Sequence, residues 1–237
     1  MLKPDVAFHW SGGKDSALAL SVLLAQGGDV TVDRLVTTVD AERNTSTVHG
    51  LPVELLQAQA RNIGIPLQAI ALPGPGLDGY VDAINAAAVR MRHEGIDAFV
   101  FGDLSCSNVR HHKERQFGPL GIEVLEPLWD MTSRECIERF LESGIRAVTV
   151  VVDAGVLTID EVGVPVNREF IDRLPENADP CGEFGEYHSF AYDGPIFRAP
   201  VDFSLSSPRR YESDIRTTEG VRRYAYWLAT PQPPRSC

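Results

Sequence analysis

The chain has 237 residues, a formal net charge of −11, and 43% hydrophobic and 23% charged residues. This is enough chain for one large domain, or a medium domain with a smaller one, of ordinary folded composition, and the acid excess argues against a nucleic-acid partner, whose phosphates it would repel. The four cysteines, Cys106, Cys136, Cys181 and Cys237, form no C-x-x-C pair, which excludes a zinc ribbon and a dithiol redox motif.

The opening "MLKPDVAFHWSGG" meets its glycines before any apolar run long enough for a signal peptide or a membrane span. With few cysteines, it predicts a cytoplasmic protein with free thiols and no membrane contact. A strand ending at Val6–Trp10 runs into "SGGKDS", and the alanine–leucine pattern after it predicts a helix through Leu24. "RLVTTVD" (34–40) reads as a strand, "PVELLQAQARNIG" (52–64) as a helix and "PLQAIAL" (66–72) as a strand. A helix follows from Gly79 to Glu94, with Val81, Ile84 and Val89 on its apolar face. "DAFVFGDL" (97–104) and "IEVLEPLW" (122–129) read as strands around a polar helix in "NVRHHKERQFGPLG". Strands alternating with helices imply parallel pairing through right-handed crossovers, hence an α/β, doubly wound parallel sheet covered on both faces.

From Trp129 the pattern loosens, which sets a boundary between a domain over residues 1–128 and a smaller α+β domain over 129–237. "TSRECIERFLESG" (132–144) has the marks of a capped helix, with Thr132 and Glu135 as a capping box and Gly144 as the stop. "AVTVVVD" (147–153), "YHSFAYDG" and "RRYAYWLA" are strand-like, and the tail from about residue 230, "TPQPPRSC", is expected to be loosely ordered.

A glycine-rich turn between a strand and a helix is suited to phosphate, because backbone N–H groups converge there with the positive end of the helix dipole. The spacing here fits neither G-x-x-x-x-G-K-[ST] nor G-x-G-x-x-G. It fits S-G-G-x-D-S at every position, and with it the chain resembles the adenine nucleotide alpha-hydrolase group, or N-type ATP pyrophosphatases, which cleave ATP between its α and β phosphates. Gly12 and Gly13 let the backbone approach phosphate oxygens, Ser11 and Ser16 offer hydroxyls, and Lys14 offers a point charge to the pyrophosphate. Asp15 would repel phosphate unless a cation intervened, which suggests Mg²⁺.

In a doubly wound sheet the ligand sits at the carboxyl ends of the strands. Gly102 and Asp103, at the end of the fourth long strand, would therefore face the glycine turn, with Asp103 either completing a metal site with Asp15, orienting an acceptor, or merely capping a helix. The next helix carries Arg110, His111, His112, Lys113 and Arg115, as a solvated face or as phosphate ligands led by Arg110 and Arg115. His49 and Gly50 follow the second strand, either as lining of the adenine pocket that this fold usually places there or as a plain loop. In "CGEFGEYHSFAYDGPIF" (181–197), Glu183, Glu186 and His188 lie close together, and strand geometry puts Glu186 and His188 on one face as an acid–base or substrate-orienting pair.

Taken together, "SGGKDS", "HGLPVELLQAQARNIGIPL", "FGDL", "EPLW" and "GEFGEYHSFAYDGPIF" resemble the diphthine–ammonia ligase family over roughly residues 5 to 200. Phe184 and Ser189 are mild departures from its pattern. The resemblance implies an ATP-dependent, AMP-forming ligase: a substrate carboxylate becomes an acyl-adenylate, and ammonia or another amine converts it to an amide. The acceptor, a small molecule or a protein side chain, is not identified, and a homodimer is left open. Two other readings stand beside it: tRNA thiolation with Cys106 and Cys181, and an adenine-nucleotide sensor without turnover.

Overall fold

The structure, a computed structural model, describes residues 3–26, 29–47, 49–74, 77–104, 107–217 and 220–234. The first half is a mostly parallel sheet of β1 (Asp5–His9), β2 (Thr31–Asp40), β3 (Thr45–Ser46), β4 (Leu67–Leu72), β5 (Ile96–Val100) and β6 (Glu123–Leu125). Its parallel strands lie in the order β4-β2-β1-β5-β6, and the two-residue β3 pairs antiparallel with the end of β2. The order therefore reverses beside β1, which has β2 on one edge and β5 on the other.

The connections are α1 (Lys14–Ala25), α2 (Val53–Ile63), α3 (Tyr80–His93) and α4 (Ser107–Phe117). Successive side chains of β1 point to opposite faces. Val6 and Phe8 pack with α1 and α2, and Ala7 packs with Ile84, Ala87, Ala88 and Met91 of α3 and Phe117 of α4. Both faces of the sheet are thus covered by helices, the doubly wound α/β architecture that the strand–helix alternation predicts.

The second half begins with α5 (Ser133–Glu142), whose Thr132–Glu135 capping box is formed in both directions. A short α6 (Arg168–Asp172) follows β7 (Arg146–Asp153), and β8 (Tyr187–Asp193), β10 (Arg209–Thr217) and β11 (Gly220–Leu228) complete an antiparallel sheet in the order β10-β11-β7-β8. The apolar core does not stop at residue 128: Leu18 and Leu20 of α1 belong to one buried cluster with Ile137 and Phe140 of α5, Val148 of β7 and Phe190 of β8.

Three local expectations need correction. On α3, Ile84 is buried, but Val81 and Val89 are exposed, because the stripe facing the sheet runs 84, 87, 88 and 91. The strand expected over 122–129 ends at Leu125: Pro127 has no N–H for a ladder, and the chain turns instead. Part of the tail is docked, since β12 (Pro231–Gln232) pairs antiparallel with β9 (Ser204–Leu205), whereas residues 235–237 lie outside the described residues.

Candidate active site

The turn between β1 and α1 is held from three sides. Gly12 has φ +83°, and a Cβ there would lie 2.7 Å from Leu56 Cδ2 and 2.8 Å from Leu51 Cδ1. A Cβ on Gly13, the N-cap of α1, would lie 3.1 Å from the Ser189 carbonyl oxygen, and one on Gly102 would lie 3.0 Å from Ser16 Cα. Glycine is therefore required by close packing as well as by backbone conformation. Ser11 Oγ accepts from Gly13 N at 3.3 Å and donates to Ser16 Oγ at 3.0 Å, and Ser189 Oγ accepts from Lys14 N at 3.1 Å. Gly13, as N-cap, has no side chain of its own to cap the first turn of α1.

This turn forms part of the wall of a cavity of about 410 Å³ at the carboxyl ends of β1, β2 and β5. One wall is Val36, Thr37 and Thr38 with Ser46, Thr47 and His49; the opposite wall is Tyr80, Phe101, Gly102, Asp103 and Lys113. The second half of the chain contributes Cys181, Gly182, Glu183, Tyr187, His188 and Ser189. An open cleft beside the reversal in strand order is where doubly wound sheets bind ligands.

Lys14 is buried at 2% exposure, yet remains an ammonium. Burial by itself would lower its pKa, but the Asp15 carboxylate, with both oxygens 2.8 Å from Nζ, outweighs it and holds the group above its ordinary value. Nζ also donates to the Cys181 carbonyl and lies 4.9 Å from the centre of the Tyr187 ring. Across the cleft, Lys113 pairs with Asp103 and, at 3.0 Å, with the fully buried Glu126, and its Nζ lies 4.0 Å above the Phe101 ring.

Among the titratable groups displaced in the cavity are three imidazoles and a carboxyl. Burial, with the Lys113 charge, lowers His9 to about 3, and burial, with His188 and Lys14, lowers His49 to about 3. The His49 and His188 rings meet edge to face at 4.9 Å, and His188 is also lowered by burial. Both imidazoles are therefore neutral at pH 7. Glu183 stands at the rim, where desolvation, reinforced by the Asp15 charge, raises it to about 7. A carboxyl poised there can exchange a proton at working pH.

Several expected site residues lie elsewhere. Glu186 turns away from the cavity: its two carboxylate oxygens accept from Asp179 N at 2.9 Å and Phe184 N at 3.0 Å, which fixes the loop before β8. It precedes the strand, so the alternation that would pair it with His188 does not apply. Arg110 does not line the cavity; it pairs with Glu114 at 3.0 Å and lies over Trp129. Arg115 is exposed and also outside the lining, and Lys113 is the residue of α4 that reaches in. Gly50 is exposed with nothing near its Cβ position, and does not line the cavity as His49 does.

A Mg²⁺ site built from Asp15 and Asp103 is not preformed. Each carboxylate already carries a lysine, and the only group of three ligand-type side chains among the described residues joins Asp15 to Cys136 and Cys181, all within 4.8 Å. Two sulfurs suit soft metals rather than Mg²⁺. Cys181 is buried, donates to the Ser133 carbonyl at 3.0 Å and has its pKa pushed far up by hydrogen bonding with Cys136 and by burial. Cys106 lies outside the described residues.

Two family models cover the chain: diphthamide synthase N-terminal domain over residues 5–123 and diphthamide synthase C-terminal domain over residues 132–224. The chain belongs to the diphthamide synthase family. It is 23% identical over 210 residues to a diphthine–ammonia ligase of Schizosaccharomyces pombe, a match covering 81% of this chain and 34% of that protein. It thus spans about a third of the length of this curated relative. Among solved structures it is similar to one from Methanocaldococcus jannaschii described as a predicted subunit of tRNA methyltransferase (17% identity, 60% of this chain and 77% of that one, TM-score 0.42). It is also similar to the tRNA thiolase NcsA of Methanococcus maripaludis (17% identity, 60% and 58%, TM-score 0.40).

For this diphthamide synthase family member, the residues that sequence reasoning missed are those placed by tertiary packing. Gln59, fully buried on α2, accepts from Trp10 Nε1 at 2.8 Å and donates to the carbonyls of Gly12 at 2.9 Å and Ala191 at 2.6 Å. Tyr80, Tyr187 and the Thr38–Thr47 hydroxyl pair, 2.6 Å apart, were missed as well, and unlike Gln59 they border the cavity. The only prior signal was an uncompensated Gln on the apolar face of a helix.

Among the described residues, no helix is long and apolar enough to cross a membrane.

Proposed function

We propose that this chain is an ATP-dependent, AMP-forming amide ligase. The observation carrying this reading is the Ser11–Ser16 turn with its buried Lys14, opening on a cleft at the strand-order reversal in a member of the diphthamide synthase family.

The nucleotide base would lie against Val36–Thr38, Ser46, Thr47 and His49, with the β and γ phosphates at the turn, where unpaired N–H groups of α1 and the Lys14 ammonium meet negative charge. A substrate carboxylate attacks the α-phosphorus, the bond to the β-phosphate oxygen breaks, and pyrophosphate leaves with its charge facing Lys14. Ammonia or an amine then adds to the activated carbonyl, AMP departs, and one proton is released. Glu183, as a carboxylate, is the group placed to take that proton, and the neutral His188 orients the acceptor. Catalysis here is positioning and electrostatics. Lys14 must exchange Asp15 for phosphate as the nucleotide enters. Any Mg²⁺ would arrive on the nucleotide, and no step is assigned to it.

The test is product analysis with ATP, an ammonium salt and fractionated carboxylate acceptors, small-molecule and protein. AMP and pyrophosphate formed only with an acceptor support the ligase. ATP binding without AMP in any fraction supports the sensor reading instead. Thiolation would require a sulfur-carrying thiol, and the buried, hydrogen-bonded Cys181 gives it no support.

A further inference from the structure

Gln59 is not among the residues lining the cavity, yet its side chain bonds to the turn that is. The indole N–H of Trp10 can only donate, so the atom of Gln59 facing it at 2.8 Å must be Oε1. The amide orientation is fixed by that bond, and both Nε2 protons are then directed at acceptors, the Gly12 and Ala191 carbonyls. Every hydrogen-bonding group of this fully buried amide is used.

The two carbonyls belong to different halves of the chain. Gly12 O receives a second donor, Ala191 N at 2.9 Å, and Ser189, two residues earlier on β8, receives the Lys14 N–H. The Gly12 carbonyl is thereby drawn inward, away from the cavity, toward Gln59 and β8. Of the N–H groups that follow, Gly13 N is taken by Ser11 Oγ and Lys14 N by Ser189 Oγ, so with the turn held in this way the groups offered to a phosphate are the next ones, in the first turn of α1.

We propose that Gln59 is a positioning residue that holds the turn in its anion-binding form and makes that form depend on the docking of β8. The inference rests on the ATP reading of the cavity. Phosphate binding, and not binding of the nucleoside, is the quantity Gln59 controls.

The experiment compares ATP and adenosine affinity in the 237-residue chain and in its Gln59→Glu variant, across pH 5 to 8. A carboxylate at position 59 faces two carbonyls and repels them, whereas its protonated form restores one donor. ATP binding by Gln59→Glu is expected to be at least about tenfold weaker than wild type at pH 8, roughly 1.4 kcal/mol. It should recover toward pH 5, with adenosine affinity changed less than about twofold throughout. Should the variant fail to fold, Gln59→Met, which keeps the approximate volume and removes both donors, is expected to show the same separation of ATP from adenosine, at every pH.

Equal losses for ATP and adenosine, or no pH-dependent recovery in a folded Gln59→Glu, would reduce Gln59 to a packing residue and overturn the inference. Wild-type protein that binds adenosine but gains nothing from the triphosphate would overturn the ATP reading and this inference with it. Wild-type ATP binding with unaltered binding by the variants would overturn this inference alone.

Discussion

Both carboxylate oxygens of Asp15 lie 2.8 Å from the Nζ of its neighbour Lys14, and the two side chains differ greatly in exposure, 3% for the lysine and 34% for the aspartate. The pair is therefore asymmetric. Losing the lysine leaves an acid that water can reach, whereas losing the acid leaves an ammonium sealed in the protein. Breaking a buried pair in the second way costs about 3–5 kcal/mol. Asp15→Asn is expected to lower the unfolding free energy by that order and Lys14→Ala by much less, with turnover lost in both. Chemical denaturation of the two variants checks the ranking, and equal destabilisation would contradict it.

On the proposed ligase reading, Glu183 is expected to set the acid limb of the pH profile. Its carboxyl is raised to about 7 by desolvation and the nearby Asp15 charge. Below that pH it is protonated and cannot accept the proton of the attacking amine; above it, it can. With neutral ammonia held constant, amide formation should rise with pH through about 7 and level off above. Glu183→Gln should flatten the limb at the low level. A limb that persists in this variant would place the base elsewhere.

Gly102 tests the close approach of β5 to α1. A Cβ there meets Ser16 Cα at 3.0 Å and Ser16 N at 3.1 Å, both backbone atoms that cannot swing aside. Gly102→Ala should cost about 1–3 kcal/mol of stability, as overpacking does, and weaken ATP binding by moving the first turn of α1. Gly50→Ala is the control: its φ of +62° is strained by a side chain, but nothing lies within 4 Å, so ATP affinity should stay unchanged. Isothermal titration of both variants separates the outcomes.

The separate tasks of Glu186 and His188 give a fourth expectation. Glu186→Ala removes the acceptor of two backbone N–H groups, and bonds to a charged group contribute about 1.5–3 kcal/mol each. It should therefore destabilise the protein and loosen residues 179–186, which hydrogen exchange would register. His188→Ala should leave the unfolding transition nearly in place and lower acceptor-dependent turnover. The opposite pattern would restore Glu186 to the chemistry.

What could be read in advance follows how local its cause is. "SGGKDS" declares a tight turn at a strand–helix junction, and the capping box at Thr132 and Glu135 is complete within four residues. The doubly wound sheet was legible because β1 and β5 each carry a three-residue apolar run, Val6–Phe8 and Ala98–Val100, and the strands alternate regularly with helices. Glu186 was misread because a shift of one residue in where β8 begins changes what its side chain faces. Lys113 was passed over for Arg110 and Arg115 because the rotation of α4 is set by Phe117 docking under the sheet, which no charge pattern reveals. Gln59 depended on partners 47 and 132 residues away.

The most direct test of the central claim is the product formed from ATP labelled at the α-phosphate, with ammonium and an acceptor fraction, by wild type and Lys14→Ala. Acceptor-dependent AMP and pyrophosphate from the wild type, absent in Lys14→Ala, is the expected result. ADP and inorganic phosphate would contradict it, because the bond broken would then be the wrong one.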